Sequence, residues 1–69
     1  MINYIAWADE YVDEAHRLLK VIEKKKQMME KASVDEKHLL NTEIIRLRDI
    51  YYECMLTAKH LRARGEGQR

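Results

Sequence analysis

The chain is predicted to be all-α: an antiparallel two-helix hairpin, expected to dimerise into a four-helix bundle. Three observations point there. Proline is absent and both glycines, Gly65 and Gly67, lie at the C-terminal end, so nothing breaks a helix before residue 65. Apolar residues recur in steps of three and four on either side of the midpoint, as one face of a helix requires. Between the two runs, Ser33 followed three residues later by Glu36 forms a capping box that starts a new helix at Val34. The predicted layout is a hairpin over 1–64, with helix 1 at about 3–31, a turn at about 32–33 and helix 2 at about 34–64, then a flexible tail at 65–69.

The first helix has Asn3 as its N-cap. Asp9 and Glu10 lie early and Lys24, Lys25, Lys26 and Lys31 late, an order that complements the helix dipole. Its seam reads Tyr4, Ala8, Tyr11, Ala15, Leu18, Ile22 and Met29, widened on one side by Ile5, Val12 and Leu19. Lys25 interrupts the seam, which implies looser packing near the turn or a lysine stem laid along apolar surface with its amine in water.

The second helix alternates steps of four and three through Leu40, Ile44, Leu47, Tyr51, Cys54, Ala58 and Leu61. Arg62 and Arg64 suit its negative end, and Gly65 is the expected C′ residue. One continuous helix would place Glu36, Glu43, Arg46, Glu53 and His60 in the core, so a break near Ser33 is required. Folding there pairs Tyr4 with Leu61, Ala8 with Ala58, Tyr11 with Cys54, Ala15 with Tyr51, Leu18 with Leu47 and Ile22 with Ile44. It also sets acidic residues 9–14 beside basic residues 59–64.

At 69 residues the chain is one domain with a thin core, and a lone cysteine excludes an internal disulfide. Oligomerisation is the remaining way to bury apolar surface. Trp7, Val21 and Met28 on the first helix, and Ile45, Ile50, Tyr52 and Leu56 on the second, fall outside a two-helix seam. They are the expected oligomer interface, with a homodimer the simplest closure and a further protein partner allowed. No targeting segment and no apolar run of membrane-spanning length are read, so a cytoplasmic location is expected.

Catalytic and metal readings find little support. Asp13 precedes His16 at di-iron spacing, but His16 lies on the outer face beside Asp9 and Glu23, away from any inward ligand set. His38 and His60 have no acidic or thiol partner at ligand spacing. Cys54 sits in the seam opposite Tyr11, a setting for a structural thiol rather than a nucleophile. Tyr4, Trp7, Tyr11, Tyr51 and Tyr52 gather toward the open end as core aromatics. No catalytic residue, metal or cofactor is therefore expected.

A basic row, Arg17, Lys20, Lys24 and Lys31, follows the outer face of the first helix, flanked by Asp13, Glu23 and Glu30. Such a row can track a phosphate backbone, although no aromatic residue is interleaved for stacking. The net charge of +1 favours no polyanion by itself. The leading functional expectation is a small, non-enzymatic interaction or regulatory adaptor; RNA or DNA binding through the basic row is the alternative.

Equal helices, the Ser33–Glu36 turn and the alternation of Ala8 and Ala15 with larger seam residues resemble the plasmid-encoded Rop family in plan. That resemblance implies a dimeric four-helix bundle and, through a polar face of the first helices, binding of paired RNA loops. The small sporulation-phosphorelay phosphatases are also helical hairpins, marked by a serine four residues before an aspartate in the second helix. Here Ile45 stands four residues before Asp49, so that motif is incomplete.

Overall fold

In the computed structural model, which describes residues 2–67, two helices pack antiparallel along one side of each other. Helix α1 spans Tyr4–Met29 and helix α2 spans Val34–Gly67. The Cα atoms extend 54 Å by 14 Å by 13 Å, the proportions of two helices side by side.

Asn3 caps α1 as its side chain chemistry requires: the Ala6 amide donates to Asn3 Oδ1 at 3.0 Å, and the Trp7 amide donates to the Asn3 carbonyl at 3.1 Å. At the other end α1 tightens before it stops. The amides of Glu30, Lys31 and Ala32 each donate three residues back, to Gln27, Met28 and Met29, at 3.3–3.4 Å. No described residue has positive φ, so this turn needs no glycine and the sequence has none there.

Ser33 opens α2, its Oγ accepting from the Glu36 amide at 3.3 Å and its carbonyl from the Lys37 amide at 2.8 Å. The reciprocal contact of a capping box, Glu36 carboxylate to Ser33 amide, is not formed. Val34 stands 83% exposed at this start. The first buried residue of α2 is Leu40, so the opening turn and a half of the helix makes no core.

The core follows the predicted seams. Ala8 and Ala15 are 0% exposed, and Ile22, Leu40, Ile44, Cys54, Ala58 and Leu61 complete the buried set. Ala8, Ala58 and Leu61 form one cluster, with Tyr4, Tyr11 and Val12 packed against it. Alanine at the contact lets the two backbones approach, and the larger neighbours close over the small-residue layer.

Two features differ from expectation. Helix α2 does not stop at Arg64 but runs on through Gly65 to Gly67, and neither glycine adopts the left-handed conformation of a C′ residue. Gly65 serves close packing instead: a Cβ there would lie 2.7 Å from Ile5 Cδ1 and 3.4 Å from the Ile5 amide nitrogen. Part of the expected tail is therefore helical, and Gln68 and Arg69 lie outside the described residues. The second difference is Lys25, whose amine is not simply hydrated. It donates to Glu43 Oε2 across the helix interface at 2.6 Å, so the seam's polar interruption is answered from α2.

Candidate functional site

A helix pair with seams in heptad phase has two broad sides, and cross-helix ion pairs mark them. Lys25–Glu43 lies on one, and Arg62–Asp9, at 3.1 Å, on the other. The latter joins the acidic and basic segments expected to lie side by side.

Trp7, Glu14, Val21 and Met28 recur every seven residues along the first side of α1, and Glu43, Ile50 and Thr57 do so along α2. Lys25, Leu39, Glu43, Arg46 and Leu47 line one shallow groove there. The large seam residues Tyr4, Tyr11 and Leu18 are only half-buried. The Trp7 ring lies 6.5 Å from both the Tyr4 and Tyr11 rings, so this side carries a continuous aromatic surface at the open end.

The second side carries charges of both signs at its margins. Val12, Met55, Lys59 and Arg62 line its groove, and Lys26 pairs with Glu23 at 3.7 Å on its α1 margin. Ile45, Tyr52 and Leu56 lie beyond it, on the part of α2 that turns away from α1.

All seven residues expected at an oligomer interface are exposed in the lone hairpin, from 40% at Ile50 to 65% at Tyr52. They do not form one patch. Trp7, Val21, Met28 and Ile50 share the first side, whereas Ile45, Tyr52 and Leu56 form a separate strip. One flat contact cannot cover both. Leu39 also belongs to the first side, a residue the sequence reading did not single out. Its signal is spacing: it stands four residues before Glu43 and eleven before Ile50, on the same stretch of helix surface.

The basic row is exposed throughout. The Arg17 guanidinium donates to Glu14 Oε2 at 3.1 Å rather than to Asp13, the longer glutamate arm reaching the i+3 partner. Among the described residues no carboxylate lies within salt-bridge distance of Lys20, Lys24 or Lys31.

Chemical machinery is sparse. Cys54 is a buried free thiol in the seam. His16, His38 and His60 are exposed. Among the described residues no group of three or more His, Cys, Asp or Glu side chains is placed to hold a metal ion. Among the described residues no helix is long and apolar enough to cross a membrane. Compared with protein families, curated proteins and solved structures, the chain finds no match.

Proposed function

We propose that this protein is a non-enzymatic interaction adaptor: a helical hairpin that associates with a second copy of itself into a four-helix bundle and offers its remaining surface to a protein partner. One observation carries the reading. Among the described residues thirteen large apolar side chains stand exposed, seven of them on two separate strips, while the buried set consists of eight residues, three of them alanine. Burying a large apolar side chain is worth ~1.5–3 kcal/mol. Covering one strip therefore adds stability on the scale of a small domain's whole core, and the other strip stays available.

Light scattering across a dilution series tests this. A concentration-dependent dimer whose thermal midpoint rises with concentration is the expected result. A folded, cooperative monomer at micromolar concentration sinks the reading.

Nucleic-acid binding is the second reading, favoured by the exposed Lys20, Lys24 and Lys31, which have no ion-pair partner among the described residues. A salt-dependent titration with structured RNA and duplex DNA separates it from the first.

A further inference from the structure

We infer that the second copy docks on the side bearing Trp7, with its two-fold axis perpendicular to the helices, so that α1 packs antiparallel on α1 and Trp7 meets Met28 of the other copy. The inference rests on the self-association proposed above and specifies its geometry.

The area is sufficient. A 26-residue helix is ~39 Å long and a helix pair ~20 Å wide, so one broad side offers ~800 Å² per copy, a standard protein interface. Its composition also fits, since tryptophan, tyrosine and methionine are enriched at interface centres, and Trp7 already stacks with Tyr4 and Tyr11.

Register follows from numbering. The α1 positions on this side are 7, 14, 21 and 28, and antiparallel self-pairing in phase requires partners to sum to a multiple of seven. The sum of 35 puts the axis between residues 17 and 18, close to the middle of Tyr4–Met29. Trp7 then faces Met28, a favourable sulfur–aromatic pairing, and Leu18 lies at the axis.

Charge selects this axis. Three residues beyond Trp7 and Val21 are Glu10 and Lys24, on the rim of the same side; three beyond Glu43 and Ile50 are Arg46 and Glu53. Within one hairpin, none of these four has an ion-pair partner among the described residues. The perpendicular axis sets Glu10 against Lys24 of the other copy, a pair made twice, and brings Arg17, which Glu14 holds within its own hairpin, beside its counterpart at the axis. A two-fold parallel to the helices instead brings α1 against α2 in the register where Lys25 meets Glu43, which sets Lys24 within about one turn of Arg46. Those like charges oppose docking.

The test uses complementary substitutions in the full chain. Trp7→Glu and Met28→Lys each enter the two-fold interface twice, so each alone raises the dissociation midpoint about a thousandfold. Mixed one to one they form a heterodimer with one Glu–Lys contact and one native Trp–Met contact, and association returns. Leu19→Glu, on the other side, leaves the dimer in place.

Because an unpaired variant can lose its fold, a second measurement uses milder changes. In a Cys54→Ala background, Glu14→Cys mixed with Val21→Cys gives a disulfide-linked heterodimer on oxidation. A wild-type dimer in which neither mixture responds overturns the docking geometry while leaving self-association standing. Preferential Glu14→Cys cross-linking to Thr57→Cys identifies the parallel axis and overturns it too. A monomeric wild type removes this inference and the proposed function together.

Discussion

Ser33 shows how little a single hydroxyl must do to end one helix and start another. It satisfies the Glu36 amide, and its own carbonyl accepts the first helical bond from Lys37. Ser33→Ala is expected to cost about 1 kcal/mol, read from urea or thermal unfolding at fixed chain concentration. Glu36→Ala should be nearly neutral, because the glutamate does not reach back to the Ser33 amide. The residue pattern reveals the cap donor but not whether its reciprocal partner is used, since Glu36 also finds solvent. Gly65 and Gly67 make a similar contrast: both look like tail residues, and only contact distances separate them. A methyl at position 67 meets nothing within 4 Å, whereas one at 65 meets the Ile5 side chain. Gly67→Ala should therefore raise stability by a few tenths of a kcal/mol, below the ~1 kcal/mol of an interior site because the helix end frays. Gly65→Ala should forfeit that gain, because Ile5 must move aside.

At the scale of the helices, the seams were readable because burial and periodicity are the same signal on an amphipathic surface. Ala8, Ala15, Ile22, Leu40, Ile44, Cys54, Ala58 and Leu61 are all seam positions in the sequence, and all are buried. The partner of Lys25 was not legible. A cross-helix salt bridge depends on register to within a residue, and Glu43 lies just outside its own helix's seam. The end of α2 is not legible in sequence for a related reason: glycine marks both helix stops and close approaches, and local sequence does not distinguish them. Ala8→Leu should cost ~1–3 kcal/mol by forcing apart the Ala8–Ala58 layer, measured by chemical unfolding. An unchanged stability would mean that the helices slide or separate there at no cost, contrary to a close-packed seam.

For the whole molecule, the division of exposed apolar residues into two strips was only half apparent in sequence. Periodicity separates Ile50 from Ile45, Tyr52 and Leu56, but grouping Ile50 with Trp7, Val21 and Met28 requires knowing how the two helices face each other. In the docking geometry inferred above, Lys24 is occupied by Glu10 of the other copy, which removes one cation from the outer row. Arg17 is already held by Glu14. Of the row, Lys20 and Lys31 are left without an ion-pair partner among the described residues, so titrations with structured RNA and duplex DNA should show weak, non-specific binding with a shallow salt slope. Submicromolar binding at physiological salt, lost in Lys20→Glu with the dimer intact, would reverse the order of the two functional readings.

The contact of Gly65 with Ile5 brings the two ends of the described chain together at the pole opposite the turn. Which pair of helix ends carries the covalent connection is then a choice the packing does not dictate. A circular permutant joining residue 67 to residue 2 through a short Gly-Ser linker, and opened between Lys31 and Ala32, keeps every seam contact described. It should show the parent's helical circular dichroism and the same concentration-dependent association. If it collapses to a disordered chain, the short link between Met29 and Val34 is itself an organising element of the fold, and the seam alone is not sufficient.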